Sequence, residues 1–276
     1  MPEITVLMPV RNGEKYIREA VDSVLHQSFE DFELLIMDDG STDRTVEILR
    51  SYQDPRIRLE IREPHFIRSL NGGLSLSKGD YIARMDADDR MHIERLRIQL
   101  KRMKQKPEIT VCASWTTPFV PGGAPLKPVK TGEYLIERPI LKMLKGNFIA
   151  HPSVMIRKRF LEENRLTYQD YPCAEDYKLW FDTARLGGKF FIEPQSLLYF
   201  RISDSQVTSV NREQMIRQSI LIKDEILDYL LEKVANKTLL DLRSNMDQLR
   251  KDCLVSPDIV FALFYTILQE MDGSVK

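Results

Sequence analysis

Residues 4 to 10 (ITVLMPV) are apolar but for Thr5, with a proline near the end, the pattern of a buried strand. Tyr16, Ala20, Val24 and Leu25 then recur at helical spacing. A second apolar run, Phe32 to Met37, is stopped by the polar turn Asp38, Asp39, Gly40, Ser41. Val46 and Leu49 mark the inner face of the next helix, for which Ser41 or Thr42 is a suitable cap. Arg56 to Ile61 predicts a third short strand, Leu70 to Leu76 a small-residue helix ending at Gly79, and Tyr81 to Met85 a fourth strand. Strands alternating with helices in this way predict an α/β fold with a doubly wound, mainly parallel sheet.

The pattern then loosens. Ile93 to Lys106 reads as a basic helix and Thr110 to Trp115 as a strand. Residues 116 to 132 hold four prolines and three glycines, which predicts a loop or loose hairpin. Ser153 to Ile156 predicts a strand, Asp176 to Leu186 a helix, and Phe190 to Ile192 and Leu197 to Arg201 two extended segments. From Arg212 onward the chain reads as helical, with Ile216, Ile220, Leu227 and Leu231 in a stripe and Pro257 opening a last helix. The expected organisation is a main domain over 1–210, with halves 1–110 and 111–210, followed by a helical segment over 211–276. Its mixed charge suits a packed appendage or a dimer surface better than a membrane anchor.

Composition narrows the classes. The 276 residues are 43% hydrophobic and 29% charged, with a net charge of −1, so there is material for a large core and no basic excess of the kind nucleic acid requires. No apolar run approaches the ~20 residues of a membrane helix. Met1 to Thr5 lacks a basic segment and an apolar signal core, which predicts a cytoplasmic protein. Cys112, Cys173 and Cys253 are few, odd in number and widely spaced, fitting a reducing compartment without disulfides or zinc. The basic helix reads by default as a solvated face; the alternative is contact with anionic lipid at the inner face of the membrane.

The candidate chemistry lies at the predicted strand ends. Asp86, Asp88 and Asp89 place three carboxylates within four residues, directly after the fourth strand. Their repulsion is offset if a divalent cation binds, since Mg²⁺ and Mn²⁺ prefer carboxylate oxygens and bridge them to phosphate. Asp38 and Asp39 end the second strand, where a carboxylate can accept a hydrogen bond from a base N–H. Read singly, each cluster is also an ordinary acidic turn. Two of them at the ends of parallel strands face one crevice, where sheets of this type bind ligands.

Five segments carry a more specific resemblance: Ile4 to Gly13 (ITVLMPVRNG), Leu34 to Asp43 (LLIMDDGSTD), Gly79 to Asp89 (GDYIARMDADD), His151 to Arg157 (HPSVMIR) and Glu175 to Trp180 (EDYKLW). In order and spacing they resemble the family 2 glycosyltransferases, inverting enzymes with the GT-A fold, and the resemblance covers residues 4 to about 209. It implies a metal-dependent transfer of sugar from a nucleotide-diphosphate sugar, most often a UDP-sugar, to a hydroxyl of a surface polysaccharide or lipid-linked glycan. It also implies roles. Pro9, Val10 and Arg11 would wall the base pocket, Asp38 or Asp39 would bind the base, and Asp86 would meet the ribose. Asp88, with Asp89, would hold Mn²⁺ or Mg²⁺ on the diphosphate. Asp176 would be the base that deprotonates the acceptor.

Arg11 stands where family members often carry an aromatic, and Phe181-Asp182 where an Arg often follows the Trp; these departures leave the base and the acceptor open. Glu175, His151 and Arg201 are weaker candidates for contact with acceptor or diphosphate, each with a structural or solvated alternative. Arg68 is a candidate for the base or a merely exposed residue. A sugar-1-phosphate nucleotidyltransferase is the rival enzyme, but Pro9 to Gly13 is poor in glycine for its phosphate loop. An inactive sugar-nucleotide or glycan-binding module is the rival outside enzymes, and it would be marked by loss of Asp88 or Asp176, both of which are present.

Overall fold

The computed structural model describes residues 1–120, 122, 126–130, 134–202 and 211–273, with side chains as far as 271. The first half follows the apolar pattern closely. Strand β1 (Ile4–Val10), helix α1 (Ile17–Leu25), β2 (Phe32–Asp38), α2 (Thr45–Arg50), β3 (Ile57–Ile61), α3 (Phe66–Leu76) and β4 (Tyr81–Arg84) alternate as expected. β1 pairs in parallel with β2 and β4, and β2 with β3. Both faces of β1 are covered. Ile4, Val6, Met8 and Val10 face one apolar layer, under α1 and α4 (Arg95–Gln105), while Leu7 faces the other, under α3. α3 approaches closely because Gly73 carries no side chain: a Cβ there would stand 2.3 Å from Leu7 Cδ1.

The second half of the sheet is mixed. It uses β5 (Arg90–Met91), β6 (Ile109–Phe119), β7 (Tyr134–Leu135), β8 (Met155–Arg157) and β9 (Lys189–Arg201). The order across the sheet is β3-β2-β1-β4-β8-β6-β9-β5, with β7 also pairing to β9. β8 runs antiparallel to β4 and β6, while β6 and β9 are parallel. β6 and β9 are much longer than their apolar runs predict. β9 joins the two expected extended segments into one strand, and register shifts between Ser114 and Thr116 absorb its polar middle, Glu193 to Ser196. Thr116 and Val129 form an antiparallel bridge, so the expected loose hairpin exists in part; residues 121, 123–125 and 131–133 lie outside the described residues.

Two local expectations change. Neither Ser41 nor Thr42 caps α2; Asp43 Oδ1 accepts from Thr45 N at 2.9 Å instead. Ser41 and Thr42 are used to lock the β1 and β2 loops together: Asn12 N donates to Ser41 Oγ at 2.9 Å, and Thr42 N to Asn12 Oδ1 at 2.8 Å. The basic helix is also not a uniform solvated or lipid-facing surface. Arg95 is fully buried, and Arg102 pairs with buried Glu193 at 3.0 Å, which leaves only part of α4's basic set on the outside. No described helix is long and apolar enough to cross a membrane.

The remaining helices are α5 (Pro139–Met143), α6 (Lys158–Glu163), α7 (Glu175–Arg185), α8 (Arg212–Val234), α9 (Lys237–Lys251) and α10 (Pro257–Gly273). α8 buries Ile222, Ile226, Leu227 and Leu231, whereas Ile216 from the expected stripe is 46% exposed. These residues, with Phe261 and Phe264 of α10, belong to one apolar cluster with Trp180, Phe190 and Leu7. Polar contacts reinforce it: buried Lys178 of α7 reaches Asp182 at 3.0 Å and Glu225 of α8 at 2.7 Å. The C-terminal helices therefore share their core with the sheet. Phe264→Ala should lower unfolding free energy by about 3–5 kcal/mol in urea titration, the usual result for a fully buried Phe. A change below ~1 kcal/mol would show that α10 packs independently of the sheet.

Candidate active site

The sheet winds outward from β1 through β2 to β3, then returns to set β4 on the other side of β1. Strand order reverses between β1 and β4, which is where an open α/β sheet forms a ligand crevice beyond its strand ends. Pro9 and Val10 are buried at the end of β1, and Arg11 is exposed just beyond. Asp38 is fully buried; its Oδ1 accepts from Ser41 N at 3.0 Å, and Oδ2 has no partner. Asp39 Oδ1 accepts from His65 N at 2.8 Å and Ser69 Oγ at 2.6 Å, which fixes it against the start of α3. Gly40 makes this turn possible, with φ of +73° and Pro64 packed where a Cβ would stand. Arg68, in the first turn of α3, is exposed.

Beyond β4, Asp86, Asp88 and Asp89 offer carboxylate oxygens that all lie within 4.8 Å of one another. Burial, then the charge of Asp86, pushes the Asp88 carboxyl up to about 6. Asp89 is raised well above the usual range, first by burial and then by its two neighbours. Asp89 is fully enclosed; Oδ1 accepts from Arg201 N at 2.8 Å, and Oδ2 is buried without a partner. Carboxylates that resist ionising together, with an orphan oxygen among them, fit a divalent cation with oxygen ligands.

Arginines from three elements surround this turn. Arg84, at the end of β4, is 4% exposed and pairs with Asp86 Oδ1 at 2.5 Å. Burial opposes its charge, but the attraction and hydrogen bond of Asp86, with the smaller pulls of Tyr168 and Glu175, together hold the proton more firmly than usual. Arg95 donates to the Arg84 carbonyl at 2.8 Å and the Val154 carbonyl at 3.1 Å, joining α4 to the ends of β4 and β8. Arg201 is 2% exposed, so the solvated alternative for it is excluded. Its Nε donates to the Asp88 carbonyl at 2.5 Å.

A second carboxylate pair opens α7. Asp176 Oδ1 accepts from Tyr177 N at 2.7 Å and Oδ2 from Asn147 Nδ2 at 2.8 Å. Burial raises its affinity for a proton. Glu175 is 7% exposed, its Oε2 lacks a partner, and burial followed by Asp176 pushes it up to about 7. The positive charge of Arg84 opposes these upward shifts at Asp88 and at Asp176, so one buried guanidinium acts on both carboxylate sets. His151 lies behind them: its Nε2 meets Tyr168 OH at 2.8 Å, and its ring abuts Trp180. Burial, then Arg84, lowers the proton affinity of His151, so it is neutral. The chain pattern did not single out Arg84, Asn147 or Tyr168, although a charged residue closing the apolar strand Tyr81–Arg84 is a legible signal.

Residues 5–165, more than half of the chain, match the family described as Glycosyl transferase family 2. The chain belongs to this family. An uncharacterized glycosyltransferase of Haemophilus influenzae is 32% identical over 246 residues, covering 84% of this chain and 76% of the relative. The succinoglycan biosynthesis protein ExoO of Rhizobium meliloti is 26% identical over 252 residues, covering 86% of this chain and 72% of ExoO. S. aureus TarS 1-349, solved in complex with UDP-GlcNAc, superimposes with a TM-score of 0.67 at 20% identity, over 83% of this chain and 66% of that one. The fold of this glycosyltransferase is therefore GT-A, with the Asp86–Asp89 turn on its parallel half and Asp176 opening α7.

The raised Glu175 value has a consequence for stability. Between about 4.5 and about 7 the native glycosyltransferase holds a proton on Glu175 that the unfolded chain has released. This contribution is present at low pH and is lost as pH rises through that window. Glu175→Gln should thus gain melting temperature relative to the parent at pH 8 compared with pH 5. A pH-independent offset in differential scanning calorimetry would contradict the assignment.

Proposed function

We propose that the chain is an inverting, cation-assisted transferase that moves a sugar from a UDP-sugar to a hydroxyl of a growing surface glycan. The observation that carries this reading is the pair of carboxylate sets that feel the charge of Arg84: Asp86, Asp88 and Asp89 beyond β4, and Asp176 opening α7. Family membership supports the reaction class. The UDP-GlcNAc complex of TarS supports a UDP-sugar donor, and the role of ExoO in succinoglycan biosynthesis supports a polysaccharide acceptor.

In this reading Pro9, Val10 and Arg11 wall the base. Asp39 is the better base contact of its pair, because Asp38 is fully enclosed and its Oδ1 closes the turn. Arg68, exposed beside Asp39 on α3, flanks the base. Asp86 keeps one oxygen for the ribose while Arg84 holds the other. Asp88 would carry Mn²⁺ or Mg²⁺, with Asp89 as the enclosed support. When bound, the cation neutralises charge developing on the leaving diphosphate. Asp176 takes the acceptor proton as the acceptor oxygen attacks the anomeric carbon from the face opposite the diphosphate. Asn147 and the Tyr177 amide aim its carboxylate, and burial brings its pKa closer to neutral, which suits a base. Displacement in one step inverts the anomeric centre and uses no second flanking carboxylate.

Asp176→Asn should retain UDP-sugar binding in calorimetry and lose transfer by about a hundredfold or more, as expected for removal of a positioned general base. Undiminished transfer would remove Asp176 from the chemistry.

A further inference from the structure

We propose that Glu19, on α1, is a positioning residue for the acidic turn, acting through Arg201 and Arg90. This inference rests on the reading that the turn holds a divalent cation. The turn has weak internal support: its own backbone bond, Asp89 N to Asp86 O, is 3.4 Å long. Arg84 holds Asp86 at its start, and Arg201 anchors its remainder, supplying a backbone N–H to Asp89 Oδ1 at 2.8 Å and Nε to the Asp88 carbonyl at 2.5 Å. A guanidinium fixes a carbonyl only if its own orientation is fixed. Two rings and a carboxylate contribute to that orientation. The Arg201 guanidinium lies 4.1 Å from the Tyr16 ring centroid and 4.5 Å from that of Phe119, and its Nη2 is hydrogen-bonded to Glu19 Oε2.

The second oxygen of Glu19 takes Arg90 Nη1 at 3.1 Å. Arg90 directly follows Asp89 and also lies against Phe119, at 4.2 Å. One carboxylate therefore bridges the arginine that holds the centre of the turn and the arginine that begins its exit. Without that charge, the two guanidinium groups against the same ring lose the carboxylate that bridges them. Glu19 is 43% exposed at its side chain, so its amide isostere leaves no cavity, while it removes a carboxylate partner of Arg201, whose side chain is 3% exposed. Residues that orient metal ligands from behind commonly change metal affinity without touching the metal.

The experiment is direct Mn²⁺ titration of the full chain, followed by electron paramagnetic resonance, for the parent, Glu19→Gln, Arg90→Gln and the double variant. Glu19→Gln should weaken Mn²⁺ binding by about tenfold, the lower end for such residues, with a native circular dichroism spectrum and with UDP affinity in chelator unchanged. The double variant should bind like Glu19→Gln alone, because both substitutions break the same bridge. In turnover, the apparent Mn²⁺ requirement should rise while kcat at saturating Mn²⁺ is kept, a split that general loosening of the fold does not produce. Parent-like Mn²⁺ affinity in Glu19→Gln would overturn the inference. Absence of Mn²⁺ binding in the parent would instead overturn the cation reading of the turn itself.

Discussion

Like-charged carboxylates gathered around one buried guanidinium are the constraint on which the rest of this molecule depends. Asp86, Asp88 and Asp89 crowd one turn, and Glu175 and Asp176 crowd another. Burial and mutual repulsion push Asp88, Asp89 and Glu175 toward their protonated forms. Arg84 is buried, pairs with Asp86 at 2.5 Å, and its charge acts on both sets. A buried charge pair of this type contributes little net stability, but loss of one partner is costly because it strands the other. The fold therefore has to deliver Arg84 from β4, Arg95 from α4 and Arg201 from β9 to the same place. The sheet order achieves this by laying β4, β8, β6 and β9 side by side, although β9 begins more than a hundred residues after β4 in the chain.

Much of this was legible in the chain. β1, β2 and β4 are continuous apolar runs bounded by polar turns, and a buried parallel strand leaves little freedom in where such a run ends. The acidic residues at those ends then follow by position alone, which is why Asp38 and Asp86 fall on one edge of the sheet. The less legible residues are those whose role depends on partners distant in sequence. Arg95 looks like one member of a basic helical face, yet it is fully buried and donates to the carbonyls of Arg84, ending β4, and Val154, just before β8. Arg201 looks like a solvated strand terminus until β6 and β9 are known to be long enough to carry it to Asp88. His151 carries no local cue that Tyr168, seventeen residues on, will take its Nε2. Glu225 gives no sign in its own helix that it answers Lys178.

The C-terminal helices show the same principle on a larger scale. Their mixed charge suggests an appendage, but Ile222, Ile226, Phe261 and Phe264 close the apolar layer that begins at Leu7 and Leu35 of the sheet. Through Lys178 and Glu225 they also brace α7, whose first turn presents Asp176. The stability of the whole chain and the aim of its proposed base are thus connected by one helix.

The central functional claim is a single displacement at the anomeric carbon, with the donor diphosphate on one side and the Asp176-activated oxygen on the other. Its most direct test is the configuration of the sugar first released when the protein slowly hydrolyses an α-linked UDP-sugar in the absence of acceptor, followed by proton NMR before mutarotation. The account predicts the β anomer as the initial product. Initial release of the α anomer would contradict it.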